Sequence, residues 1–208
     1  INEERNSFTH CLIHYYTMQK QQEQAVQYIK SRGIKDPQVG IVLGTGLGKM
    51  IDEIEIETII EYADIPNFPL STVEFHKGRL IYGKLEGKKI LAMQGRFHYY
   101  EGYTLQQVTF PIRVMKLLGI QYLLLSNAAG AMNLNFKKGS LMLLNDHINF
   151  LPDNPLRGEN DEKMGPRFPD MSQPYSAKLN DLFIQTAREQ QITLHQGVYV
   201  AVPGPNFE

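Results

Sequence analysis

The residues best suited to chemistry lie between 94 and 103, Gln-Gly-Arg-Phe-His-Tyr-Tyr-Glu-Gly-Tyr. The apolar run Ile90-Leu91-Ala92-Met93 empties into them, so Arg96, His98, Tyr100 and Glu101 gather just past the carboxyl end of a strand. In an α/β sheet that is where ligands bind. Arginine offers a rigid fork of donors suited to phosphate, and histidine a donor that can carry charge near neutral pH. A solvated, salt-bridged loop is the plain alternative for this stretch taken alone.

Three further segments make the same transition from apolar strand to small or polar residues. Val39-Gly40-Ile41-Val42-Leu43 runs into Gly44-Thr45-Gly46-Leu47-Gly48, where glycines free the backbone for positive φ and let N–H groups approach an anion. The spacing is not the G-x-G-x-x-G of a dinucleotide fold, and the Lys-Ser/Thr ending of a nucleoside triphosphate loop is missing. Tyr122 to Leu125 leads to Ser126-Asn127-Ala128-Ala129-Gly130. Gly197 to Val202 leads to Pro203-Gly204-Pro205-Asn206-Phe207-Glu208, an aromatic ring that can stack on a planar base beside a carboxylate that can accept from its N–H groups. Four such endings point to one convergent pocket.

The blocks GTGLG, STVEFHKGRL, QGRFHYYEGY, TFPIRV, SNAAGAMN, DHINF, NPLRG, RFPDMS and GPNFE, in that order from about Gly33 to Glu208, resemble the trimeric purine nucleoside phosphorylase family. The resemblance implies phosphate binding by Thr45, where the family usually has serine, with His76, Arg96, His98 and the backbone N–H of Ala128. It implies a ribose contact at Tyr100, a base pocket of Tyr199, Phe207 and Glu208, and a Phe168 pushed over the ribose by a neighbouring subunit. The catalytic roles that the resemblance implies fall to Glu208 and His98. The implied reaction is phosphorolysis of inosine or guanosine to free base and ribose 1-phosphate, with inorganic phosphate as co-substrate and no cofactor. A homotrimer with shared active sites follows from the same likeness.

Other readings stand beside it. The sister group acting on methylthioadenosine shares the glycine loop but differs around Arg96 and lacks the closing glutamate. A non-catalytic nucleoside-binding module would need the glycine loop and arginine but not the segment from Tyr199 to Glu208. An inactive fragment is the third, because the likeness leaves the chain incomplete at the C-terminus. Residues 1–17 match nothing in the family and are expected to be a leader outside the domain, with Met18 a natural start. Residues 18–208 are then the amino-terminal part of a single nucleoside phosphorylase domain.

Composition bounds the partners. The 208 residues are 42% hydrophobic and 21% charged, enough for one large core. A net charge of −1 offers no electrostatic attraction for nucleic acid or an anionic membrane. The single Cys11 allows no disulfide within the chain, no run has the length of a membrane span, and no cleavable signal follows, so the expected location is cytoplasmic. No Cys, His, Asp and Glu cluster has metal spacing, and no metal is expected. His10, His14 and His195 read as surface residues, Tyr99 as packing as readily as function, and His147 beside Asp146 as a structural, hydrogen-bonded histidine, since neighbours on a strand point apart.

The elements that must position these residues alternate. Helices are expected at 19–32, with Ala25, Val26, Tyr28 and Ile29 as its apolar stripe, at 104–118 and across about 175–190. Pro111 leaves the first turn of the second helix open, or starts it. Strands are expected at 39–43, 51–60, 79–85, 88–94, 121–126, 140–144 and 196–202. Residues 151–172, with four prolines and little periodicity, read as a long functional loop. The expected fold is α/β, a single-domain mixed β-sheet flanked by helices.

Overall fold

The computed structural model describes residues 18–44, 46–70 and 78–205. They fall into two compact units, residues up to Ala128 together with Pro155–Glu159, and Ala129–Asn154 with residues from Asn160 onward.

The first unit is built on a five-stranded mixed sheet in the order β2-β3-β4-β1-β5. Its strands are β1 (Val39–Leu43), β2 (Glu55–Glu61), β3 (Arg79–Leu85), β4 (Lys88–Gln94) and β5 (Tyr122–Leu125). Strand β1 lies parallel to both β4 and β5, while β2, β3 and β4 form an antiparallel meander. Alternation along the strands sorts side chains onto two faces, as a period of two requires. Val42, Leu80, Tyr82, Leu91 and Met93 join one core with Ala25 and Ile29 of α1, helical over 18–31, and with Phe110, Val114 and Met115 of α2 (Leu105–Leu117). Ile41, Leu43, Ile81, Ile90 and Ala92 form a second core with Ile51 and Ile54. The stripe expected on α1 is therefore the one it buries.

Two expectations change here. The stretch 51–60 is not one strand: Gly48–Glu53 forms a 3-10 turn and the strand begins at Glu55. Ile51 and Ile54, three apart, are both buried, a spacing that a tight helical turn brings to one side and a strand does not. Pro111 does not interrupt α2. Thr104 caps the helix by accepting from Gln107 N–H, Gln107 reaches back in a capping box, and Pro111 sits two turns in, fully buried.

The second unit holds β6 (Leu141–Asn149), β7 (Leu194–Ala201) and α3 (Ala177–Glu189), with the helix capped by Ser176. The two strands pair in parallel as a two-stranded sheet of their own among the described residues, beside the mixed sheet of the first unit that the sequence led us to expect. A parallel pair needs a long crossover, and the segment from Phe150 to Ile192, carrying α3, supplies it. Strand β6 runs five residues beyond the expected 144, through a register shift between Leu144 and Asp146. Between residues 151 and 172 there is no helix or strand, as the prolines there require.

Candidate active site

Strands β4, β1 and β5 are adjacent and parallel, so their carboxyl ends open on one end of the sheet. Register aligns Leu43 with Gln94 and Val42 with Leu125, so the segments that follow, Gly95–Gly102, Gly44–Gly48 and Ser126–Ala128, leave the sheet side by side.

Arg96 and His98 meet directly: Arg96 Nε donates to His98 Nε2 at 3.1 Å. Arg96 Nη1 donates to the Ser126 carbonyl at 2.8 Å. The guanidinium therefore reaches from the end of β4 across the end of β1 to β5. Gly95, the residue before it, is held by Tyr62, whose hydroxyl donates to the Gly95 carbonyl at 2.8 Å. Burial pushes the Tyr62 phenol well above its ordinary pKa.

His98 is oriented by Glu101, whose side chain is only 2% exposed. Glu101 Oε1 accepts from the His98 backbone N–H at 2.8 Å and lies 2.7 Å from His98 Nδ1. A carboxylate can only accept, so the ring proton sits on Nδ1 and Nε2 is turned toward Arg96. Tyr99–Glu101 forms a 3-10 turn that closes on Gly102 at φ 92°, a left-handed conformation suited to glycine. The turn brings residues three apart to one side, and it also stacks the Tyr100 ring on His98, centroids 4.8 Å apart and planes 15° from parallel.

The glycine segment works differently from the expectation at its first residue. Leu47 N–H closes a four-residue turn onto the Gly44 carbonyl, and Gly46 at its third position has φ 90°. Gly44 does not need a positive φ. Its N–H is bonded to Ser126 Oγ at 2.9 Å, and a Cβ there would stand 2.5 Å from the Ser126 carbonyl oxygen. Close backbone approach is what requires this glycine.

Of the residues singled out by sequence, Arg96, His98 and Tyr100 are thus brought into contact, and Ala128 lies two residues beyond Ser126 in the segment that receives Arg96. Thr45, His76, Phe207 and Glu208 lie outside the described residues, as do His10 and His14. Phe168 and Tyr199 belong to the second unit. Phe168 is 87% exposed. Tyr199, on β7, is in register with His147 on β6, and Tyr175 places its hydroxyl 3.3 Å from His147 Nδ1. Burial first, then the Asp146 charge, raise the Tyr175 pKa. His147 is held in that hydrogen bond, and His195 is half-buried, stacked on Phe136 with centroids 4.1 Å apart.

Sequence reasoning missed the roles of Glu101, Ser126 and Tyr62. The signal for Glu101 was its spacing of three from His98 ahead of a glycine, the pattern of a capped turn. Ser126 and Tyr62 act through backbone groups, which residue types do not reveal. Among the described residues no group of His, Cys, Asp and Glu could hold a metal ion, and no helix is long and apolar enough to cross a membrane.

Arg96, His98 and Glu101 form one hydrogen-bonded chain at the carboxyl ends of parallel strands, which sets side by side the donors that an oxyanion would use. The profile of the Phosphorylase superfamily matches residues 38–208. Purine nucleoside phosphorylase 1 of Geobacillus stearothermophilus is 53% identical over 186 residues, which are 89% of this chain and 68% of that protein. The purine nucleoside phosphorylase of Bos taurus is 44% identical over 93% of this chain and 68% of its own length. The solved structure of isoform 2 of the Schistosoma mansoni enzyme, in complex with cytosine and ribose-1-phosphate, superposes with a TM-score of 0.84 at 46% identity, covering 91% of this chain and 68% of that one. The chain belongs to the phosphorylase superfamily and, within it, to the purine nucleoside phosphorylases, which are pentosyltransferases.

Proposed function

We propose that the protein cleaves 6-oxopurine nucleosides, inosine and guanosine, with inorganic phosphate to give the free base and ribose 1-phosphate. The observation that carries this reading is the hydrogen-bonded chain of Glu101, His98 and Arg96, tied through Ser126 to Gly44, in a chain 53% identical to a purine nucleoside phosphorylase.

In this reading the C1′–N9 bond stretches first, its electron pair passing to the purine and leaving positive charge on the ribose. A phosphate oxygen then bonds to C1′. Arg96, His98, the Ala128 N–H, Thr45 and His76 hold that phosphate. An arriving anion takes the Arg96 donors, and His98 donates through Nε2 once that nitrogen carries a proton, its Nδ1–H still donating to the Glu101 carboxylate. Tyr100, Phe168, Tyr199 and Phe207 hold the nucleoside. Glu208 accepts from the purine N1–H, so that charge collects on O6 and N7. The work is positioning and electrostatic stabilisation, with no covalent nucleophile and no cofactor. The single nucleoside phosphorylase domain, a homotrimer in which Phe168 completes a neighbour's site, and a cytoplasmic location go with the proposal.

The test is release of hypoxanthine from inosine by the intact protein with and without phosphate. Release that depends on phosphate is expected. Release independent of phosphate would mean a hydrolase, and preferred cleavage of methylthioadenosine would move the protein to the sister group.

A further inference from the structure

We infer that Ser126 is a positioning residue for the phosphate end of the site, an inference that rests on the phosphorolysis reading above. Its hydroxyl accepts from Gly44 N–H at 2.9 Å and donates to the Val42 carbonyl at 3.1 Å. Its own N–H donates to that same carbonyl at 3.2 Å, and its carbonyl receives Arg96 Nη1 at 2.8 Å. One residue therefore ties the exit of β5 to the exit of β1 and to the guanidinium that leaves β4.

The seam is tight as well as bonded. A Cβ on Gly44 would stand 2.5 Å from the Ser126 oxygen and 2.8 Å from Asn127 Cα, so the two backbones touch with no side chain between them. A hydroxyl is the smallest group that can satisfy the Gly44 N–H there. Without it the buried Gly44 N–H has to turn away, and the glycine turn and the Arg96 acceptor move with it. Ser126 does not touch the reacting atoms. It sets the distance between the groups that do.

The test compares Ser126→Ala, Ser126→Thr and Ser126→Cys with the wild type in the intact enzyme, varying phosphate and inosine separately. Loss of one such hydrogen bond is expected to raise the phosphate KM about threefold to tenfold in the alanine variant. The inosine KM stays within about twofold, and threonine, which keeps the hydroxyl, restores the phosphate KM. Cysteine keeps the size but is a poor acceptor, so it behaves like alanine and serves in its place if alanine melts early. An unchanged phosphate KM in both alanine and cysteine variants overturns the inference. Equal rises in both KM values overturn it too, since the hydroxyl would then hold the fold and not the phosphate end. A wild-type enzyme that releases no base overturns the phosphorolysis reading itself. In that case calorimetry with inorganic phosphate decides the inference: weaker binding by Ser126→Ala supports it, and equal binding sinks it.

Discussion

Arg96 bonds both His98 and the Ser126 carbonyl from one guanidinium, which orients the fork at the ends of β4 and β5 before any anion arrives. A charge-assisted bond to an anion is worth ~1.5–3 kcal/mol. Arg96→Ala should therefore raise the phosphate KM at least about tenfold in initial-rate assays, and an unchanged value would remove Arg96 from the phosphate site. Glu101 acts one step behind. It is a buried carboxylate satisfied by two His98 donors, so Glu101→Ala leaves both donors without an acceptor and costs ~1–3 kcal/mol of stability. Glu101→Gln keeps an acceptor oxygen of the same reach and should lose much less. Thermal melts together with kcat/KM for phosphate, falling in the order wild type, glutamine, alanine, check the orientation role. A glutamine variant as damaged as alanine would show that the charge itself is required.

At the scale of elements, β1, β3 and β4 were legible to the residue because their apolar runs are bounded by glycine or charged pairs. The helix around Pro111 was legible in extent but not in continuity. What hid it is that the capping box at Thr104 and Gln107 starts the helix two turns before the proline. That Arg96 and His98 gather past the end of β4 was legible from their spacing, since both follow the same apolar run. The scaffold behind them was not, because the Ser126 and Tyr62 hydroxyls reach backbone groups more than 30 residues away. Tyr62 is the element-scale example: it opens a 3-10 turn (Tyr62–Asp64), packs against Phe68 and Phe97 and pins the carbonyl at the exit of β4. Tyr62→Phe leaves the Gly95 carbonyl without that donor, at a cost of ~1–2 kcal/mol, or about 3–6 °C in Tm. The sign with pH is set by burial. The folded phenol holds its proton above the ordinary range, so its contribution is whole below about pH 10 and is lost as pH rises through the folded value. Melts from pH 8 upward should fall less steeply for Tyr62→Phe than for wild type, and parallel curves would mean that another group governs alkaline unfolding.

For the whole molecule, the distribution of burial carries the last prediction. Both apolar cores belong to the first unit, whereas the second keeps Met132 at 90%, Leu134 at 97% and Phe168 at 87% exposure. Phe168 sits in a proline-bounded segment without helix or strand, so no element of its own holds it in a core. In the proposed trimer that ring closes over a neighbour's ribose, far in role from the Arg96 end of the site. Phe168→Ala in the intact protein should then raise the inosine KM about tenfold, the scale of a lost aromatic contact, while the phosphate KM stays within about twofold. Sedimentation should give a trimer for wild type. Mixing Phe168→Ala with Arg96→Ala subunits should restore sites in which one subunit supplies the arginine and the other the ring. A fully active monomer, or mixed subunits no better than the weighted sum of the two variants, would place Phe168 in its own chain's site.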